Sequence, residues 1–105
     1  MYGHAVQYAT RIRSFRHKGL KRLYETGSRR GVRADLAAKI EDILHAIDQA
    51  TRIEQVGLFP GWKLHPLKGG RRGEWSVWVS GNYRFTFRVE VEDVFDLDFE
   101  DYHGS

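Results

Sequence analysis

The sequence contains no cysteine, only two prolines and a single methionine. The absence of cysteine excludes a disulfide framework, a thiolate metal site and a thiol nucleophile. No apolar run approaches the roughly 20 residues that a membrane-spanning helix needs. Residues 1–10 lack the positively charged start and apolar stretch of a signal peptide. We therefore expect a cytoplasmic protein that does not associate with a membrane.

The chain has the length and composition of one folded domain. Of its 105 residues, 41% are hydrophobic and 13% aromatic, which is typical of a globular protein. At this length, roughly 60–70% of the surface of the unfolded chain is buried on folding. We expect a single domain over residues 1–105, in which residues 1–10 are a loose N-terminal leader with no assigned role.

Charge is distributed unevenly along the chain. Residues 11–33 contain nine Lys and Arg residues and His17, against a single acid, Glu25. Residues 90–101 contain seven acids and no base. A basic region of this density indicates a polyanionic partner, although a solvated helix face has the same composition.

The first half of the chain predicts a short edge strand and two helices. Basic and apolar residues alternate over Arg11–Phe15, as in an edge strand. Lys18–Thr26 has the apolar spacing of an amphipathic helix, and Gly27 follows as its C-terminal cap. Arg33–Ala50 predicts the longer helix. Its apolar stripe consists of Leu36, Ile40, Ile43, Leu44 and Ile47.

The second half predicts a sheet. From Trp62 onwards apolar residues alternate with polar ones, which predicts strands over 62–65, 75–79, 83–89 and 95–99. Three-residue loops, Ser80–Asn82 and Val91–Asp93, keep the apolar residues on one face. The predicted cross-strand pairs are Val77–Phe85, Trp78–Arg84, Phe85–Phe99, Phe87–Leu97 and Arg84–Glu100. We therefore predict a two-layer α+β domain, with the helices on one face of a mainly antiparallel sheet and a polar face opposite.

Residues suited to general acid–base catalysis lie in two segments of the chain. Cleavage of RNA without a metal needs one group to take the 2′-hydroxyl proton and another to protonate the 5′-oxygen, and histidine suits both tasks. His65 ends the strand at 62–65, and His103 follows Asp101 and Tyr102 at the end of the last strand. Each of these residues alone has a structural or surface interpretation. Two histidines and one aspartate without a spacing such as HxxxH argue against a metal site, and no cofactor is expected.

Cationic residues lie beside these segments. Lys68, Arg71 and Arg72 occupy a glycine-rich loop that suits a phosphate clamp or, equally, a mobile hairpin linker. Arg84 lies on the polar face, where it either binds phosphate or pairs with an acid. Trp78 on the same face is a candidate platform for base stacking.

The sequence resembles the HigB toxins of HigB–HigA toxin–antitoxin modules, within the RelE/ParE superfamily. The resemblance runs from about Ile12 to His103 and is most specific where KLHPLKG at 63–69 is combined with a terminal EDYH at 100–103. The other matching segments are 13–21, 46–51, 73–77 and 82–87.

The resemblance implies a small microbial-RNase (RelE-like) fold and a ribosome-dependent mRNA endonuclease. Such a toxin cuts A-site codons by attack of the 2′-oxygen without a metal, and leaves a 2′,3′-cyclic phosphate and a 5′-hydroxyl. The implied catalytic residues are His65, Asp101, Tyr102 and His103. Lys68 and Arg84 match phosphate-binding positions. The implied partners are a HigA-like helix-turn-helix antitoxin, the 70S ribosome with its rRNA, and mRNA.

Two other functions remain open on the same fold. A ParE-like protein poisons DNA gyrase and cuts nothing, and a plain RNA-binding module binds without cleaving. The chain also departs from the family in three places. Residues 1–10 precede the usual start, Tyr83 stands where a family member can have Trp, and Gly104 and Ser105 follow His103.

Overall fold

The computed structural model describes residues 11–102, so the predicted leader at 1–10 lies outside them. These residues form an α+β domain of two layers, which confirms the predicted fold class. The helices are α1 (Lys18–Thr26) and α2 (Ala37–Gln49), with short 3-10 turns at Ala34–Leu36, Ile53–Leu58 and Gly69–Arg71. The strands are β1 (His65–Pro66), β2 (Glu74–Ser80), β3 (Tyr83–Glu90) and β4 (Asp93–Asp101).

Helix α1 has the bounds that the sequence predicts, because both of its ends are capped. The Nδ1 atom of His17 accepts a hydrogen bond from the backbone N–H of Leu20, which satisfies an otherwise unpaired donor. Gly27 adopts a left-handed conformation with φ of 80° and donates to the carbonyl of Leu23.

Helix α2 supplies most of the helical half of the core. The predicted stripe is correct at Ile40, Ile43, Leu44 and Ile47, which are all buried, while Leu36 is half-buried in the preceding 3-10 turn. They pack against apolar residues of the sheet, among them Val77, Val79, Phe85, Phe87 and Leu97. No helix within the described part of the chain is long and apolar enough to span a bilayer.

The sheet is antiparallel, in the order β1-β2-β3-β4. The predicted edge strand lies alongside β4 as two isolated parallel bridges, Ile12 to Val94 and Phe15 to Leu97. The buried guanidinium of Arg11 holds this segment in place, because it donates to the carbonyls of Ala50 after α2 and Glu92 in the β3–β4 turn.

Both hairpin loops are two residues long, so the predicted three-residue loops are wrong. Ser80 belongs to β2 and Asp93 to β4, which leaves only residues 81–82 and 91–92 as turns. Each shorter loop is offset by an irregularity in its hairpin, between Trp78 and Ser80 and between Thr86 and Arg88. Beyond these irregularities the register is the predicted one, with Trp78 opposite Arg84 and Arg84 opposite Glu100.

The irregularity in the second hairpin changes which residues of β4 enter the core. Asp96 has a positive φ of 57°, and Phe95 pairs with Arg88. Phe95 therefore shares the polar face with Arg88, which lies 5.7 Å from its ring centre, and Val94 is buried in its place. The prediction that Phe95 lies on the core face is wrong, because the bulge inverts the alternation at that point.

The predicted strand over 62–65 is also shorter than expected. Only His65 and Pro66 pair with β2, opposite Ser76 and Trp75. Lys63 adopts a φ of 53°, which interrupts an extended strand. A single hydrogen bond from the N–H of Trp78 to the carbonyl of Trp62 continues the edge beyond this kink.

Candidate active site

Strand pairing assembles the polar face in rows. His65, Ser76, Thr86 and Asp98 pair successively across the four strands and form one row. Trp78, Arg84 and Glu100 form the adjacent row. Because directly paired residues point to the same side of a sheet, all seven side chains share one face. This register brings His65 and Arg84, which lie 19 positions apart, onto one surface.

Glu100 is the centre of a charged cluster on this face. Its Oε1 atom accepts from Nη1 of Arg71 (2.9 Å) and from Nε and Nη2 of Arg84 (3.3 and 3.2 Å). Its Oε2 atom accepts from Nη2 of Arg71 (2.5 Å) and from the hydroxyl of Thr86 (2.8 Å). Arg71 also donates to Glu74 at the start of β2 (2.6 Å). The cluster therefore joins the glycine-rich loop to β2, β3 and β4.

The charges in this cluster are strongly stabilised. The hydrogen bond from Arg71, followed by the bond from Thr86, lowers the pKa of Glu100 to about 2 against the opposing effect of burial. Hydrogen bonds to Glu100 and then Glu74 raise the pKa of Arg71. Both members of the pair are therefore ionised throughout the physiological pH range.

Tyr102 is held against Arg84. The guanidinium carbon of Arg84 lies 4.0 Å from the centre of the Tyr102 ring, and the backbone N–H of Tyr102 donates to the carbonyl of Asn82. The end of β4 is thus tied to the β2–β3 turn, and the phenol lies beside the polar face. A cation in this position is attracted by the ring's quadrupole.

His65 is exposed and has one fixed nitrogen. Its Nδ1 atom lies 2.9 Å from the carbonyl oxygen of Lys63, which can only accept, so Nδ1 carries a proton. The other nitrogen, Nε2, is therefore the one able to exchange a proton with a substrate. His65 pairs with Ser76, whose side chain is buried.

The two remaining predicted acid–base residues lie at the C-terminal end. Asp101 pairs with Tyr83, so strand alternation assigns it to the face opposite His65, at the exposed end of β4. His103 lies outside the described residues, and its catalytic role stays a prediction.

Lys68 and Arg72 flank the 3-10 turn of the glycine-rich loop. Both side chains are exposed, and neither forms a hydrogen bond or an ion pair with any residue from 11 to 102. Arg71 between them is committed to carboxylates. The loop is thus anchored at its centre and carries one available cation on each side.

Trp78 is anchored more firmly than a freely exposed stacking platform. Its indole Nε1 donates to the carbonyl of Gly81 (2.9 Å). The ammonium groups of Lys63 and Lys39 lie 5.2 and 5.4 Å from its ring centre. The two lysines surround this ring with positive charge.

Sequence reasoning missed two members of the cluster, Thr86 and Glu74. Pairing rules predicted Arg84 opposite Glu100, and they also place Thr86 one row away on the same face. The link from Arg71 to Glu74 had no signal in the periodicity, because the direction of a loop side chain does not follow from strand alternation.

The basic surface of residues 11–33 is partly neutralised within the chain. Arg13 pairs with Asp93 and Arg16 with Asp96, so the acidic strand β4 offsets part of the basic segment. Arg29 and Arg33 pair with acids of the helical layer. Within residues 11–33, the exposed cations that form no ion pair with the described residues are Lys18, Lys21, Arg22 and Arg30. These four side chains are available to a polyanion.

Comparison with known proteins identifies the family. A family model for the RelE-like toxin of type II toxin–antitoxin system HigB matches residues 13–103. The chain is 49% identical over 92 residues to the Endoribonuclease HigB of Proteus vulgaris, and the match covers 88% of this chain and 99% of that protein. The two-layer α+β architecture is the one expected for a RelE-like fold. The chain therefore belongs to the HigB-like family of RelE-like toxins from type II toxin–antitoxin systems.

Proposed function

We propose that this protein is an endoribonuclease that cuts mRNA in the A site of a translating ribosome, in the cytoplasm, without a metal cofactor. The observation that carries the proposal is the 49% identity to a protein named as an endoribonuclease, over nearly its whole length. The placement of His65 on the same sheet face as a guanidinium cluster supports it independently.

The proposed reaction is a transesterification within the RNA, in which phosphorus exchanges its bond to the 5′-oxygen for a bond to the 2′-oxygen. His103, assisted by Asp101, takes the proton of the 2′-hydroxyl, and the 2′-oxygen attacks the neighbouring phosphorus in line. The bond from phosphorus to the 5′-oxygen breaks, and His65 donates a proton to that oxygen through Nε2. The products are a 2′,3′-cyclic phosphate and a 5′-hydroxyl.

Cationic groups stabilise the charge that develops on the phosphate. We assign this task to Arg84 and to Lys68, with Arg72 steering the RNA backbone towards the loop. Arg71 holds the loop to the sheet through Glu74 and Glu100 and does not bind the phosphate in this proposal. Tyr102 contributes its hydroxyl as a hydrogen-bond donor at the same phosphate, and Trp78 stacks on a neighbouring base. The unpaired cations of residues 18–30 contact ribosomal RNA.

As a type II toxin, the protein has an antitoxin as its partner, and we infer a HigA-like helix-turn-helix protein that docks on the helical layer. A groove of about 730 Å³ opens between α2 and the 3-10 turn Ile53–Leu58, with an apolar floor. Leu58 and Phe59 are 79% and 45% exposed there. Asp42 at the rim has no ion-pair partner among residues 11–102. An antitoxin segment that presents apolar side chains beside a Lys or Arg complements this groove.

Binding of the purified antitoxin tests the docking surface. Changing Leu58 and Phe59 together to serine is expected to weaken binding at least about tenfold, because two desolvated contacts are lost, while cleavage persists. The matched control is Val91→Ser, since Val91 is 98% exposed at the β3–β4 turn, away from the groove. Equal affinity of the double variant and the control would show that the antitoxin binds elsewhere.

Primer extension on a translated message tests the nuclease. The wild-type protein is expected to produce new 3′ ends within A-site codons, and His65→Gln and His103→Gln are expected to lower cleavage by at least about a hundredfold. His4→Gln is the control, because His4 precedes the residues that the family model matches. Full cleavage by the doubly substituted protein would refute the catalytic assignment.

The same preparation distinguishes the other two functions. Inhibition of gyrase supercoiling without mRNA cleavage would identify a ParE-like poison. Retention of RNA on the protein with no cyclic-phosphate product would identify a binding module.

A further inference from the structure

Arg84 is restrained on two sides. Its Nε and Nη2 atoms both donate to one oxygen of Glu100, and its guanidinium carbon lies over the ring of Tyr102. Its Nη1 atom makes no hydrogen bond to any residue between 11 and 102. The side chain is only 14% exposed, so few other orientations are open to it. The guanidinium is therefore fixed with one pair of donors directed away from its restraints.

Glu100 is the common partner of two arginines and a threonine on the polar face. It receives Arg84 from β3, Arg71 from the glycine-rich loop and the hydroxyl of Thr86. Its side chain is 19% exposed. The carboxylate thus connects separate chain segments at a single point.

The net charge of the cluster separates two possible effects of Glu100. Arg71 and Arg84 contribute two positive charges, and Glu74 and Glu100 contribute two negative charges, so the four groups are neutral together. If the arginines acted mainly by attracting phosphate, the negative charge of Glu100 would weaken that attraction. If they act mainly by presenting aligned hydrogen-bond donors, the hydrogen bonds to Glu100 provide the alignment.

We propose that Glu100 is a positioning residue for cleavage, which aligns Arg84, and through it Tyr102, for the scissile phosphate. This inference rests on the proposed nuclease function. It assigns Glu100 no contact with the substrate and no proton transfer. Positioning of this kind matters because a displacement of about 1 Å costs on the order of a hundredfold in rate.

Substitution of Glu100 by glutamine gives effects of opposite sign for the two alternatives. Glu100→Gln removes one negative charge and preserves the shape of the side chain, so attraction alone predicts tighter binding and equal or faster cleavage. Positioning predicts that kcat on ribosome-bound message falls by at least about tenfold, while KM stays equal or decreases. Asp96→Asn is the matched control, since Asp96 is a β4 carboxylate that pairs with Arg88 and Arg16 instead.

A double-mutant cycle tests whether Glu100 acts through Arg84. In an Arg84→Ala background, Glu100→Gln is expected to cause no further loss of kcat, because the group that it aligns is gone. If the fold-losses of kcat from Arg84→Ala and Glu100→Gln multiplied in the double variant, the proposal would be overturned. A wild-type kcat for Glu100→Gln alone would overturn it as well. Thermal unfolding of each variant is followed in parallel, and the comparison uses temperatures at which all are folded.

NMR of the Tyr102 ring tests the geometry without reference to activity. Glu100→Gln is expected to shift the ring resonances of Tyr102, whereas Asp96→Asn leaves them in place. If the wild-type protein cuts no message, the proposed function fails, and the ring shifts still decide whether Glu100 positions Arg84. Unchanged ring resonances in Glu100→Gln would refute the positioning role even in an active nuclease.

Discussion

The guanidinium carbon of Arg84 lies 4.0 Å from the centre of the Tyr102 ring. Tyr102 thus combines two separable properties, an aromatic face that supports a cation and a hydroxyl. We expect Tyr102→Phe to retain the position of Arg84 and to lose only what the hydroxyl contributes to cleavage, about 10- to 100-fold. Tyr102→Leu removes both and is expected to cut more slowly still. Single-turnover cleavage rates measure the two steps, and equal rates for Phe and Leu would show that the ring face is unimportant.

Acid sensitivity follows from the Glu100 cluster. Folding lowers the pKa of Glu100 from 4.5 to about 2, chiefly through the hydrogen bond from Arg71. The unfolded chain therefore takes up this proton first as the pH falls. The stabilisation is complete above about pH 5 and is lost as the pH falls from 4.5 towards 2. We expect urea titrations to give Glu100→Gln a lower free energy of unfolding than the wild type at pH 7, with a smaller gap at pH 3. A gap that is constant between these pH values would contradict this account.

The two unpaired loop cations should act on RNA through charge alone. We expect Lys68→Gln and Arg72→Gln each to reduce the salt dependence of binding to a short RNA by roughly one unit of slope. Arg52→Gln is the control, because Arg52 pairs with Glu54 outside the polar face. Fluorescence anisotropy at several salt concentrations gives the slopes, and an unchanged slope for both loop variants would place the RNA elsewhere.

Gly19 allows α1 to approach a neighbouring turn. A Cβ atom added there would lie 2.3 Å from the carbonyl oxygen of Gly31 and 2.9 Å from the ring of His17. Because a backbone group must move, we expect Gly19→Ala to destabilise the fold by about 1–3 kcal/mol in denaturant titrations. Gly70→Ala, where a Cβ meets nothing within 4 Å, is expected to be neutral. Equal stability of the two variants would contradict the close contact.

Prediction from sequence succeeded where residue spacing determines the outcome. Helix α1 begins and ends where its apolar spacing and Gly27 indicate, and alternation placed Arg84 opposite Glu100. Prediction failed where the backbone adopts a conformation that is rare for the residue type at that position. Val91 has a φ of 59°, which a β-branched side chain rarely takes, so a two-residue turn at that position was not expected. The bulge at Asp96 reverses the alternation, so Phe95 lies on the polar face and not on the predicted core face.

The residues of the candidate site were predictable from the sequence, but the contacts among their side chains were not. Pairing rules placed Arg84 and Glu100 on a common face, and the structure adds His65 to that face through its pairing with Ser76. The sequence did not show that Arg71 reaches both Glu74 and Glu100, because the loop could have directed that side chain into solvent. The loop arginines therefore differ in kind: Arg71 is part of the framework, whereas Arg72 is available to a ligand.

The outer sides of the long strands β2 and β4 are lined by other segments of the chain. Residues 11–16 exchange backbone hydrogen bonds with β4, and the segment from Trp62 to Leu67 does the same along β2. Along these two strands, fewer backbone donors and acceptors are left for a strand from another molecule. A toxin released from its antitoxin by denaturant should accordingly refold at high concentration without forming edge-to-edge aggregates.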